Sequence, residues 1–247
     1  RAAIIMPPAQ QALAEAVAET GKPIVVILKN GRALALDGAV LAAPALLVTW
    51  FLGSQTGPAI ADILFGTEGP SARLPVSFPY ATGQEPYHYA HKSTGRPNPS
   101  GPLTEYKAHY RDYPNAARFA FGHGLTYGRI TYSDFAATPA TLAQGGTIRI
   151  SAKVTNTGAH AAEEVAQLYI HDVAASITRP VRQLKGYRKV KLAPGESRDV
   201  IFELTRADLT FFGPDLTKTV EPGLFKAWVA PDAQADGVSG SFILAAD

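Results

Sequence analysis

The sequence predicts an α/β segment followed by an all-β segment, and three observations carry that division. Up to about residue 78, continuous apolar runs alternate with stretches of helical period, the mark of strands and helices around a mainly parallel sheet. From residue 130 the helical period stops, and seven short runs of strand character are separated by turn residues. Between them, residues 79–118 are rich in Pro and Tyr and follow neither pattern.

The elements follow in chain order. Pro7-Pro8 precede a predicted helix over 9–20, where Leu13, Ala14, Val17 and Ala18 share a face and Gly21 supplies the stop. Residues 24–28 (IVVIL) read as a strand buried on both faces, and 46–51 (LLVTWF) as a second. A short helix is expected over 59–64, opened by Gly57-Pro58 and ended by Gly66. Residues 74–78 are expected as a third strand, placed at an edge by Pro75.

A loop as long as 79–118 inside a compact chain is usually functional or disordered. The tyrosines at 87, 89, 106, 110 and 113 among its residues argue for order, because flexible tracts are poor in aromatics. The stretch 119–128 then connects to the all-β part. Within it Gly122 and Gly124 permit close backbone approach, and Phe119, Phe121, Leu125 and Tyr127 supply apolar anchors.

Seven strands are predicted at 130–136, 147–155, 165–172, 183–192, 199–204, 224–230 and 241–244. The turns Asn156-Thr157-Gly158, Pro194-Gly195-Glu196 and Pro222-Gly223 separate several of them. That spacing suits an immunoglobulin-like or fibronectin type III-like sandwich.

A length of 247 residues suits one large domain or two ordinary ones, and 46% hydrophobic with 18% charged residues describes a well-cored protein. A net charge of +2 with scattered basic residues gives no nucleic-acid surface. The absence of Cys removes disulfides, thiolate metal sites and a Cys nucleophile. No apolar run reaches the roughly 18 residues of a membrane span, so neither nucleic acid nor membrane is an expected partner. The first residues, RAAIIMPPAQ, lack Met and a signal-peptide core. The expectation is a C-terminal piece of something longer.

Candidate chemistry is sparse. The turn Lys29-Asn30-Gly31-Arg32 after the first strand lacks G-x-G-x-x-G, and no P-loop occurs, so a nucleotide site is excluded. His88, His91 and His109, with Glu85 or Asp112, would need helical spacing to ligate a metal, and Pro86 opposes it; no metal or cofactor is expected. Glu85, Glu105 and Asp112 are the acids of the loop, with no pair marked as a glycosidase couple. Glu163 and Glu164 fall on opposite faces of one strand. Ser71 and Ser77 lack a nucleophile elbow. The residues alone identify no catalytic centre.

Eight stretches in order nevertheless resemble family 3 glycoside hydrolases of the β-glucosidase and β-xylosidase type. They are GKPIVVILKNGRALAL (21–36), TWFLGSQTGPAIADILFG (49–66), ARLPVSFP (72–79), HKSTGRP (91–97) and FAFGHGLTY (119–127). VTNTGAHAAEEVAQLYIHD (154–172), RPVRQLKGYRKVKLAPGES (179–197) and EPGLFKAWV (221–229) complete the series. The sequence departs from the family pattern at Ala120, Thr126 and Arg111, the last touching the aglycone contacts.

The resemblance implies that residues 1–118 are the later part of an α/β sandwich domain, 119–128 a connector and 129–247 a fibronectin type III-like domain. It implies retaining, exo-acting hydrolysis of terminal β-linked glucose, with a nucleophilic Asp and an acid/base Glu both upstream of Arg1 and none here. Tyr87, His91, Arg96, Tyr106, His109 and Arg111 are then expected to contact a saccharide or glucoside at the rim. The implied partner is an N-terminal barrel-bearing segment, covalent or separate, with a homodimer possible and a periplasmic or secreted setting. The rival expectations are a non-catalytic carbohydrate-binding module and a structural or dimerisation element.

Overall fold

Pro8 sits at the first position of helix α1 (Pro8–Ala18), where its missing N–H is no loss and its fixed φ favours the turn. The computed structural model describes residues 2–97 and 106–246. Glu15 on α1 accepts the backbone N–H of Ala39 at 2.9 Å, tying α1 to the short helix α2 (Gly38–Ala42). Helix α2, which the sequence pattern does not reveal, is the crossover between strands β1 (Val25–Leu28) and β2 (Ala45–Val48). These pair in parallel register from Val25 opposite Ala45 to Leu28 opposite Val48. Helix α3 (Thr56–Leu64) follows.

Two expectations for this half are corrected. The run 24–28 is not buried on both faces: Leu28 is buried and Val26 packs on the core, but Val25 is 52% exposed and Ile27 is also open. The reason is cover, since α1 and α3 bury no residue of their own and leave one face of the pair open. The third strand, 74–78, is absent as a strand. Pro75 and Pro79 have no N–H to donate, and only a Phe78–Phe119 bridge remains of a ladder. Among the described residues the mainly parallel sheet thus reduces to one parallel pair.

Residues 74–78 are instead zipped to the connector. Leu74 N–H donates to His123 O and Gly122 N–H to Leu74 O, both at 2.8 Å, and Phe78 N–H donates to Phe119 O at 2.8 Å. Phe78 and Phe119 join Leu28, Leu36, Val40 and Trp50 in a small core.

The second half is a two-sheet sandwich. One sheet has three antiparallel strands, β3 (Ile130–Thr138), β5 (Thr147–Asn156) and β8 (Ser197–Thr205). The other runs in the order β4 (Thr141–Leu142), β12 (Val238–Leu244), β11 (Gly223–Ala230), β6 (Ala162–Asp172) and β7 (Gln183–Leu192). A small hairpin, β9 (Phe211–Phe212) with β10 (Lys218–Thr219), lies outside both sheets.

Each of the seven predicted runs falls in a strand, but the count of seven omits β4, which pairs in parallel with β12 and is too short to show alternation. Strand β5 alternates between out and in along its length, so Ile148, Ile150, Ala152 and Val154 meet Leu168, Ile170, Phe202 and Val229 in a sealed core. Phe225 and Phe242 stack at 5.2 Å within it.

Candidate functional site

The Pro- and Tyr-rich loop is held from both ends. Gln84, buried in a 3-10 turn (Thr82–Gln84), accepts the N–H of Tyr80 at 2.6 Å and donates to the carbonyls of Pro114 and Ala116 at 3.1 and 3.3 Å. One amide side chain therefore staples residues more than thirty positions apart. Farther on, Tyr89 stacks on Phe121 with centroids 4.2 Å apart and meets Tyr169 of β6 edge-on at 6.0 Å. Val181 N–H donates to His91 O at 2.9 Å, and Lys92 bridges Pro180. The loop thus lies along the sandwich.

The six sequence-predicted contact residues divide into two groups. Tyr87 and His91 line a cleft of about 540 Å³ between loop and sandwich, together with Tyr89, Lys92, Arg182 and Gln234. The Tyr87 hydroxyl donates to Gln234 Oε1 at 3.2 Å, and burial pushes its pKa up. His91 is exposed, and its Nδ1–H donates to Lys92 O at 3.2 Å.

Arg96, Tyr106, His109 and Arg111 do not line the cleft. Tyr106 is 80% exposed at a left-handed backbone position (φ +63°), an unusual place for a bulky residue. His109 is half-buried, with Nδ1 bonded to Tyr110 O at 2.8 Å, whereas Arg96 and Arg111 are exposed. Glu105 lies outside the described residues.

Arg182, Lys92 and Gln234 were not singled out from the sequence. Arg182 and Lys92 carry a signal, because each sits inside a stretch that resembles the family. Gln234 has none: it reaches the loop only because Asp232 turns the chain there, accepting the N–H groups of Gln234 and Ala235 at 2.8 Å.

Glu85, Glu163 and Glu164 are engaged in holding structure. Glu85 accepts the Tyr87 N–H at 3.0 Å. Glu163 meets Lys189 at 3.1 Å, and on the opposite face Glu164 meets Arg73 at 2.8 Å. The Glu164 carboxylate also accepts the Tyr132 hydroxyl at 2.8 Å, and burial together with that carboxylate raises the Tyr132 pKa strongly. Among the described residues no three His, Asp or Glu side chains are grouped to hold a metal ion, and no helix is long and apolar enough to cross a membrane.

Comparison with known proteins places this geometry. The glycosyl hydrolase family 3 C-terminal domain matches residues 1–127, and a fibronectin type III-like domain matches residues 164–233. The chain is 43% identical over 245 residues to the periplasmic beta-glucosidase of Salmonella typhimurium, covering 99% of this chain and 32% of that protein. It is 37% identical over 227 residues to a beta-xylosidase of Formosa agariphila, covering 92% and 30%. The crystal structure of the beta-glucosidase of Listeria innocua in complex with isofagomine superposes with a TM-score of 0.92 at 38% identity, over 98% of this chain and 34% of that one. The chain spans about a third of the length of the relatives it matches.

Proposed function

The chain belongs to the glycosyl hydrolase family 3 C-terminal domain family, and from that premise we propose that it forms the C-terminal part of a retaining, exo-acting β-glucosidase. In this reading the enzyme removes terminal β-linked glucose from oligosaccharides or glucosides. An Asp and a Glu outside this chain perform the chemistry. The Asp attacks the anomeric carbon and forms a glycosyl ester as the glycosidic bond breaks, while the Glu gives its proton to the leaving oxygen. Water then attacks the ester, the Glu takes a proton from it, and the Asp is released. A periplasmic or secreted setting is supported by the Salmonella relative.

The single observation that carries this reading is the uncovered face of the first half. Phe51 is 79% and Phe65 86% exposed, and Leu13, Val17, Val25 and Ile27 are open as well. The sandwich, by contrast, seals its own core. Large apolar side chains left this open in one half of a chain point to an interaction site, and an open face on a βαβ pair is what helices of the same domain ordinarily cover. The occupant in this reading is the preceding part of the same enzyme. A free-standing carbohydrate-binding module would leave that face in water.

The loop's role follows from its order. Stapled by Gln84 and stacked on the sandwich through Tyr89, it offers Tyr106, Arg111, Arg96 and His109 outward as contacts for the leaving group, in one protomer or across a homodimer. Tyr106→Ala in the intact enzyme tests the rim role. The expected result is a loss in kcat/KM that varies with the leaving group while the fold is unchanged. An equal loss for every leaving group would assign Tyr106 to assembly.

A further inference from the structure

The cleft between loop and sandwich carries more than a share of the rim. Its walls are finished internally. Gln234 accepts the Ala117 N–H at 2.6 Å and donates back to Ala117 O at 3.3 Å. Arg182 donates to the carbonyls of Ala233 and Ala235 at 3.0 and 2.7 Å and lies 4.7 Å over the Trp228 ring. Tyr89 is fixed by its stack on Phe121 and accepts the Leu184 N–H at 3.4 Å. These groups shape the space and leave little polarity to spend on a guest. At about 540 Å³ the space lies within the roughly 300–1,000 Å³ of small-molecule sites.

What remains uncommitted is distinctive. Among the described residues no Asp or Glu lines the cleft. Arg182 is answered by the nearby charges of Asp236 and Asp232. Lys92 has no ion-pair partner among the described residues. Ser77 accepts the Phe121 N–H at 3.1 Å and keeps its own O–H to donate, and Thr94 also lines the space. A neutral sugar presents hydroxyl protons that need acceptors, which a cleft with no carboxylate among its described lining residues supplies poorly. A ring bearing its own carboxylate needs donors and a cation, and these are on hand.

We propose that this cleft binds an acidic sugar, a hexuronate unit, with its ring against Tyr87 and Tyr89 and its carboxylate on the Lys92 ammonium. The inference goes beyond the proposed hydrolysis, because every residue it uses is in this chain and it asks for no catalytic acid.

The test is calorimetric titration of the intact protein with glucuronate and with glucose, before and after treatment with a fluorinated glycoside that traps a retaining glycosidase. Failure to trap would count against the hydrolytic reading and leave the binding measurement intact. The expected result is glucuronate binding that persists after trapping, about two- to fivefold tighter than glucose at low salt and weakened by added salt. Lys92→Ala is expected to remove the preference and Lys92→Arg to retain it. No glucuronate binding, equal affinity for glucose, or a preference that survives Lys92→Ala would overturn the proposal.

Discussion

Arg73 and Glu164 meet at 2.8 Å with 6% and 4% of their side chains exposed, one from the stretch after α3 and the other from strand β6. This is the charged rivet between the two halves. Burying it is worthwhile only because the charges meet each other and Tyr132 completes the carboxylate's bonding. Loss of one partner leaves the other charged and alone. Arg73→Ala or Glu164→Ala is expected to cost about 3–5 kcal/mol, with the double variant well short of the sum, and denaturant unfolding in a double-mutant cycle measures it. Tyr132→Phe, which removes one bond to a charged group, is expected to cost about 1.5–3 kcal/mol.

Gly122 is the backbone counterpart of that rivet. Its φ is +83°, and a Cβ there would run into the buried amide of Gln167, which itself donates to Gly122 O at 3.1 Å. Gly195 has a similar φ of +76° and nothing near its missing side chain. Gly195→Ala should therefore cost only the left-handed strain, about 1–2 kcal/mol. Gly122→Ala should cost clearly more and loosen the loop as well. Thermal unfolding with hydrogen exchange across residues 87–97 compares the two.

Acid stability has a named contributor. Burial pushes Asp232 up, but His123 and the N–H groups of Gln234 and Ala235 outweigh it, and its pKa is lowered on balance. A carboxyl lowered in the folded state adds stability above its unfolded value of about 3.9 and loses it as pH falls through the lower folded value. Asp232→Asn is expected to be less stable than the parent at neutral pH and to lose less on acidification below about pH 4. Melting temperatures from pH 2 to 7 for both proteins check the sign.

The open apolar face gives a two-context test. Phe51→Ala and Phe65→Ala should scarcely change the stability of residues 1–247 by themselves, since both rings stand in water there. In the intact polypeptide each should cost about 3–5 kcal/mol if the face is covered. Equal effects in the two contexts would leave the face without an occupant.

The sandwich was the most legible part of the chain. Alternation such as Ile148, Ile150, Ala152, Val154 is imposed by a one-sided core, and that core lies wholly within the chain. Residues 74–78 look like a strand because Leu74 and Phe78 pack into the core, but Pro75 and Pro79 deny them a ladder. The run 24–28 departs from its pattern for a different reason. Its pattern matches cover on both faces, and one of those faces is open here. At the loop, residue type alone could nominate tyrosines and histidines. It could not separate Tyr87, turned onto Gln234, from Tyr106, turned outward, because that depends on which chain segment lies behind each.

The central claim is that this chain supplies scaffold and contacts and neither catalytic carboxylate. Hydrolysis of nitrophenyl β-glucoside, assayed side by side for residues 1–247 and for the intact polypeptide, tests it most directly. Turnover by the intact polypeptide and none by residues 1–247 is the expected result. Turnover by residues 1–247 alone would contradict the account and turn attention back to Glu85, Glu105 and Asp112.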